Sequence, residues 1–196
     1  MNGAAARRIA TAAACLVGLG VASAEPRLTR AQAALLGVVD GHPRLIVGGA
    51  RGTSVEALRA ACARPELAEA CGRIGGRHVL DDAMRVLLDD DADALARARA
   101  TLRAGPSCGD GVEHTPAGGH ALAYDWLHDR LAPDERRAIA AGLAACGARI
   151  SAALRGDAPH LWHGFASQAA ALALVALAID EADVPAADVA RLRADA

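Results

Sequence analysis

His160 and His163, three residues apart, flank Trp162 in the part of this 196-residue sequence that is richest in side chains able to do chemistry. An imidazole exchanges its proton near neutral pH, which suits a histidine in a cleft to general acid or base catalysis. A tryptophan face stacks on sugar rings, and the amide of Gln168 can bond sugar hydroxyls. The residue types therefore make His160 and His163 candidates for a polar site beside Trp162, with exposed or capping histidines as the alternative.

A second group lies about 40 residues earlier. Tyr124 is the only tyrosine of the chain, and Trp126 and Trp162 are its only tryptophans. Aromatic rings concentrated in this way favour a groove for a glycan, so we predict Tyr124 and Trp126 as further substrate-binding residues. Packing is the alternative for Tyr124, because His120, Tyr124 and His128 recur every four residues and would share one face of a helix.

Metal ligands are sparse in this pattern. His160 and His163 would lie on one face at the start of a helix, but two imidazoles without a third ligand make a poor site. The acidic run at 89–93 lacks the glycine and the distal glutamate of a calcium-binding EF-hand loop, and it is explained by the favourable interaction of carboxylates with a helix start. We expect neither a metal ion nor another cofactor.

The first 24 residues have the pattern of a secretory signal peptide. Arg7 and Arg8 precede an apolar stretch over 9–21, and small residues at 22–24 suit a signal peptidase. About 13 apolar residues are too few to cross a bilayer core of roughly 30 Å. We predict signal cleavage after residue 24 and export to the periplasm or the medium of a bacterium, with no membrane partner afterwards.

Cysteine usage fits an oxidising compartment but leaves the pairing open. Cys62, Cys71, Cys108 and Cys146 follow the predicted signal, and four cysteines allow three connectivities of two disulfides. The nearby pair Cys62 and Cys71 is the first to test. Four buried thiols are the alternative.

Helix signals dominate after residue 53, and strand signals are almost absent, with 45–47 the only short run of strand character. A capping box at 53–56, Pro65, Asp91 and Pro133 mark helix starts. We predict an extended N-terminal segment over 25–52 and an all-α domain over 53–196. Its helices are expected at 65–72, 91–103, 116–131, 133–154, 160–179 and 185–196. The helices at 116–131 and 133–154 must be antiparallel, because their connection is very short.

Net charge offers little guidance to a partner. The chain has 21 basic and 23 acidic side chains, and every basic one is an arginine. This mild acidic excess carries no basic patch of the kind that binds nucleic acid, so we expect no nucleic-acid partner.

Three strings in a fixed order carry a family resemblance: Ala-Tyr-Asp-Trp-Leu at 123–127, Leu-x-Pro-x-Glu-Arg-x-x-Ile at 131–139, and the apolar helix at 171–179 that follows a His/Trp turn. Over roughly 40–180 the chain resembles the N-terminal helical domain of heparinase II/III-type polysaccharide lyases. The resemblance implies an incomplete (α/α) toroid of antiparallel helix hairpins, usually followed by a β-sandwich. We therefore expect the chain to be a truncated form of a longer protein.

The resemblance also implies a reaction, the β-elimination of uronic-acid-containing polysaccharides. In that reaction a base removes the proton α to the carboxylate, a second group neutralises the carboxylate, and an acid protonates the leaving oxygen. By position His163 matches a site histidine of the family, so the resemblance implies His163 as the catalytic residue, with His160 as the alternative, and Trp162 and Gln168 as neighbouring substrate contacts. Tyr124 matches a position expected to be structural, with a packed ring and a bonded hydroxyl, and the catalytic tyrosine is expected beyond residue 196.

Two other functions remain open. A glycoside hydrolase on an (α/α) toroid needs two carboxylates across a cleft, whereas Asp125 and Asp129 lie one turn apart on a single helix. A non-catalytic helical domain would bind an acidic polysaccharide or oligosaccharide without turning it over.

Overall fold

The computed structural model describes residues 42, 43, 45, 54–75, 78–108, 116–156 and 163–196. Within these residues every regular element is a helix, which confirms the all-α prediction. A single 3-10 turn, His128–Arg130, follows α5. The helices are α1 (Val55–Cys62), α2 (Pro65–Gly72), α3 (Val79–Asp89), α4 (Ala92–Ala104), α5 (Ala117–Leu127), α6 (Pro133–Gly156), α7 (His163–Ala178) and α8 (Ala186–Asp195).

Local sequence sets most of the helix starts. Asp91 caps α4 by accepting the Ala94 N–H at 2.9 Å, and α2 begins at Pro65, both as predicted. The N-cap of α1 is Ser54, whose hydroxyl accepts the Ala57 N–H at 3.1 Å. The capping box was therefore placed one residue too early.

Helix α3 was not predicted. Its apolar stripe was nevertheless present in the sequence, since Val79, Ala83, Val86 and Leu87 recur every three or four residues and are all buried. The stripe packs against α4 and α5. The acidic turn between α3 and α4 concealed the end of α3, because we interpreted all of its aspartates as the start of α4.

Helix α5 is the centre of the core. Ten of its eleven residues are buried, and it packs against α3, α4, α6 and α7. Helix α6 carries the stripe predicted for it, with Ile139, Leu143, Cys146 and Ile150 buried. By length and composition α6 is also apolar enough to cross a membrane, but its buried stripe identifies it as a core helix in this structure.

Contacts along α5 fix the directions of its neighbours. The start of α5 lies against the middle of α7, where Gly118 faces Ala171 and Leu174. The end of α5 reaches the residues that follow α7, where Tyr124 bonds Asp183. Helices α5 and α7 are therefore parallel. Helix α6 is antiparallel to both, because its Arg136 lies 3.6 Å from Asp183 whereas its Gly147 faces Leu172 and Val175. We name the two ends of the helical body after α5: the α5 N-terminal end lies at the start of this helix, and the α5 C-terminal end lies where it finishes.

Two disulfides reinforce this body. Cys62–Cys71 joins α1 to α2, with Cα atoms 5.7 Å apart, and confirms the pair favoured from the sequence. Cys108–Cys146 joins the segment after α4 to the buried face of α6, with Cα atoms 5.6 Å apart. The alternative of four free thiols is wrong in this structure.

Candidate functional site

The string Tyr124-Asp125-Trp126 connects α5 to two distant parts of the chain. Successive helical residues point about 100° apart, so three consecutive side chains can reach different parts of the chain. Tyr124 turns toward the residues after α7, whereas Asp125 and Trp126 turn toward the N-terminal segment at His42 and Leu45. All three side chains are 6% exposed or less. This string therefore has a clear structural role.

Asp125 is the fixed point of this arrangement. One carboxylate oxygen accepts the Leu45 N–H at 2.8 Å, and the other lies 2.6 Å from Nδ1 of His42. Trp126 adds a bond from its indole N–H to the Leu45 carbonyl at 2.9 Å. A fully buried carboxylate needs such donors, because burial without them costs several kcal/mol. The N-terminal segment is thereby held on α5.

Tyr124 is unsuited to the role of a catalytic base. Its hydroxyl donates to Asp183 Oδ2 at 2.5 Å, and its ring is fully buried. Burial first, and then the bond to Asp183, raise the pKa of the Tyr124 hydroxyl far above its ordinary value of about 10. The expectation of a packed ring and a bonded hydroxyl is confirmed. A glycan cannot reach either Tyr124 or Trp126, the two predicted contacts, unless the packing opens.

Two histidines complete a polar cluster at the α5 C-terminal end. The rings of His42 and His128 are stacked, with centroids 3.7 Å apart. Nε2 of His128 lies 3.1 Å from Asp183 Oδ2, and Nε2 of His42 lies 3.4 Å from Asp180 Oδ2. We call His42, Asp125, His128, Asp180 and Asp183 the histidine–aspartate cluster.

An open groove occupies the opposite, α5 N-terminal end. It measures about 720 Å³ and lies between the first residues of α3 and α5 and the second half of α4. Its polar lining residues are His78, Asp81, Asp82, Arg97, Thr101 and His120. Arg97 donates to Asp82 at 2.7 and 3.0 Å, so the charges on these two facing walls are paired.

His120 is the most unusual residue of this groove. It is 7% exposed, and its Nδ1 lies 2.9 Å from the Pro116 carbonyl, which fixes the proton on Nδ1. Nε2 then carries a lone pair, and it is buried without a partner among the residues that the structure describes. Burial lowers the pKa of His120, an effect that the bond to Pro116 only partly offsets, so the ring is neutral at neutral pH.

A neutral imidazole with Nδ1–H anchored and Nε2 unprotonated is the state that a general base requires. Buried acceptors without partners cost about 1–3 kcal/mol each, and proteins retain few of them. Sequence reasoning treated His120 as a packing residue. The signal that could have found it is the proline four residues earlier, whose carbonyl accepts from the Nδ1–H one helical turn later.

The start of α7, where His163 lies, is directed toward the same end of the helical body as the groove. His163 is the first residue of α7, eight residues before the Ala171 that faces the start of α5. At about 1.5 Å per residue, the start of α7 projects about 12 Å beyond the start of α5. Gln168 is buried along this overhang. His160 and Trp162 lie outside the described residues, as does the side chain of His163.

Comparisons of the chain with models of protein families, with curated proteins and with solved structures found no match in any of the three.

Proposed function

We propose that this chain is the helical part of an exported polysaccharide lyase-like protein that cleaves uronic-acid-containing glycans by β-elimination. The proposal starts from the ordered strings of the sequence that resemble heparinase II/III-type lyases. The proposal includes the helix arrangement that this resemblance implies, an incomplete (α/α) toroid of antiparallel helix hairpins. The observation that carries it is the groove at the α5 N-terminal end, with the neutral His120 in its wall. Helix α7 also begins toward this end of the helical body.

The chemistry assigned to this end follows from its side chains. His163, with His160 as the alternative, is the proposed proton-transfer residue, and His120 supplies a neutral imidazole in the groove wall. Arg97 is half exposed in the groove wall, where it can attract the carboxylate of a uronic acid while it stays bonded to Asp82. Elimination needs a base, an acid and a group that holds the carboxylate; the histidines are our candidates for proton transfer and Arg97 is our candidate for the carboxylate.

The groove favours elimination over hydrolysis. A glycosidase places two carboxyl groups across its cleft, about 5–5.5 Å apart when it retains configuration and about 6.5–9.5 Å apart when it inverts. Asp81 and Asp82 are consecutive residues on one wall, and Asp82 is held by Arg97. Asp81 accepts the His78 N–H at 3.3 Å. The groove therefore has no opposed pair among its described residues, and hydrolysis ranks second.

The disulfides support the proposed export. Two cystines in one chain form and persist in the periplasm or outside the cell, whereas the cytosol keeps thiols reduced. Cleavage of the predicted signal at 1–24 would leave both disulfides in the exported protein. A bacterium gains from exporting such a protein, because polysaccharides are too large to import intact.

An incubation series tests the proposal. The oxidised protein is mixed with a panel of uronate-containing and neutral glycans, and ultraviolet absorbance and new reducing ends are both followed. Lyase action produces both signals on uronate glycans alone, because elimination leaves a conjugated unsaturated uronate. Reducing ends without the absorbance would establish hydrolysis. Binding without either signal would establish the third candidate, a non-catalytic glycan-binding domain.

Variants locate the activity. We expect His163→Ala to abolish turnover while the helical circular dichroism is unchanged. His120→Ala should lower turnover, because it removes the buried imidazole of the groove wall. Asp129→Ala is the matched control, since this exposed residue lies at the α5 C-terminal end, far from the groove. Activity that survives in His163→Ala would overturn the assignment of the catalytic residue.

A further inference from the structure

Three side chains of the histidine–aspartate cluster converge without belonging to the groove. His42, His128 and Asp180 each offer one ligand atom, and these three atoms all lie within 4.8 Å of one another. They come from the N-terminal segment, the 3-10 turn and the residue pair after α7, three parts of the chain that the helical body brings together.

The contact between His42 and Asp180 is the informative one. Nδ1 of His42 lies 2.6 Å from a carboxylate oxygen of Asp125, which can only accept, so the ring proton is on Nδ1. In a neutral ring Nε2 then has a lone pair, and this lone pair faces Asp180 Oδ2 at 3.4 Å. Two acceptors that face each other repel unless a cation lies between them. A metal ion is a cation that can lie there and bind both atoms.

The separation of these atoms matches a tetrahedral metal site. Zinc binds histidine nitrogen and carboxylate oxygen at about 2.0–2.2 Å, which places two ligand atoms of a tetrahedron about 3.4 Å apart. The observed distance between Nε2 of His42 and Oδ2 of Asp180 is 3.4 Å. A direct hydrogen bond between nitrogen and oxygen is usually shorter, at about 2.7–3.2 Å.

Hydrogen bonds to their other polar atoms also orient His42 and Asp180. Asp125 accepts the Nδ1–H of His42. In metal sites a carboxylate often bonds the ligand histidine in this way and thereby fixes its tautomer. Asp180 keeps its other oxygen on the Ala182 N–H at 2.9 Å, so Oδ2 is directed at His42. These supporting bonds position the two ligand atoms, Nε2 of His42 and Oδ2 of Asp180, in the absence of an ion.

We propose that His42, Asp180 and His128 bind one Zn²⁺ ion, with water as the fourth ligand. To reach the ion, His128 must rotate out of its stack on His42 and release Asp183. His128 is 12% exposed and Asp180 is 28% exposed, so the ion enters from this side. The ion ties the N-terminal segment to the helical body. The site departs from the expectation of no metal, which rested on His160 and His163.

Metal titration of the oxidised protein tests the site. After chelator treatment and desalting, Zn²⁺ is titrated in competition with a chromophoric chelator, and Co²⁺ serves as a spectroscopic probe. We expect one Zn²⁺ per chain and the intense visible bands of tetrahedral Co²⁺. Asp180→Asn removes a charged ligand but keeps Oδ1 for Ala182, and it should weaken binding at least about 100-fold, as should His128→Ala. Asp125→Asn should weaken binding about 10–100-fold.

Control variants distinguish this site from other histidines. His78→Ala lies in the groove and should leave the affinity unchanged, and so should the double variant His160→Ala with His163→Ala. Circular dichroism of each variant reports whether it is folded. Absence of stoichiometric binding by the folded protein would overturn the proposal. Binding that survives in Asp180→Asn, or that is lost with His160 and His163, would overturn it as well.

Discussion

The buried tyrosine allows a titration that reports on a single group. Tyr124 is the only tyrosine, and the chain contains no lysine, so no other side chain that the structure describes titrates just above pH 10. In the folded protein burial and the bond to Asp183 raise the pKa of Tyr124, whereas the unfolded chain releases this proton near pH 10. Tyrosinate absorbance should therefore stay absent above pH 10 for as long as the protein remains folded.

The same shift predicts how stability depends on pH. Because the folded pKa is the higher one, the stabilisation is fully present below pH 10 and is lost as the pH rises toward the folded value. Above about pH 10 the unfolded state holds one proton fewer, so the free energy of unfolding should fall by about 1.4 kcal/mol per pH unit. Urea unfolding followed by circular dichroism between pH 9 and about 11 measures this slope.

Tyr124→Phe is the matched control for this slope. The variant keeps the ring but has no proton to lose, so its free energy of unfolding should be nearly constant over the same pH range. It should also be less stable than the natural protein below pH 10, by about 1–3 kcal/mol, because Asp183 loses a donor. A midpoint of tyrosinate absorbance near 10 in the folded protein would refute the burial of this hydroxyl, and Tyr124 would become available as a base.

Three other predictions concern the helical body. Gly147→Ala should destabilise the protein by about 1–3 kcal/mol relative to Gly142→Ala, as measured by urea unfolding. A Cβ at position 147 would meet side chains of α8 and α7 at 2.9 and 3.2 Å, whereas a Cβ at position 142 would meet nothing within 4 Å. Replacing Cys108 and Cys146 by alanine should lower the free energy of unfolding by about 4 kcal/mol, since their bond closes a loop of 38 residues. Glu135→Gln should cost about 1–2 kcal/mol at neutral pH. The bond from Arg99, then a backbone N–H and the charge of Arg103, lower the pKa of Glu135. This difference should therefore begin to decrease as the pH falls below the ordinary glutamate value of about 4.3, and it should be lost as the pH falls through the lower pKa of the folded protein.

Local signals predicted the helices well because they act on the adjacent backbone. Pro65 and Pro133 begin α2 and α6, as expected from a ring that fixes φ and lacks an N–H. Asp91 caps its own helix within three residues. The helix at 116–131 was placed correctly but ends as a 3-10 turn, with His128 as its first residue.

Long-range contacts were beyond the reach of the sequence. Asp125 bonds Leu45 across 80 residues, and His42 meets Asp180 across 138 residues. No periodicity reports such a pairing, because it depends on how α5 and α7 are packed. Tyr124 and Trp126 were therefore predicted as substrate contacts, with packing as the alternative for Tyr124, whereas their polar atoms bond Asp183 and the Leu45 carbonyl.

The most direct test of the proposed function is the mass of the products formed from a defined uronate oligosaccharide. Elimination adds no water, so the fragment with the new non-reducing end should be lighter by one water than the corresponding product of hydrolysis. We predict this lighter, unsaturated product from the natural protein and none from His163→Ala. Products that carry the added water, or an intact oligosaccharide that only binds, would contradict the lyase account.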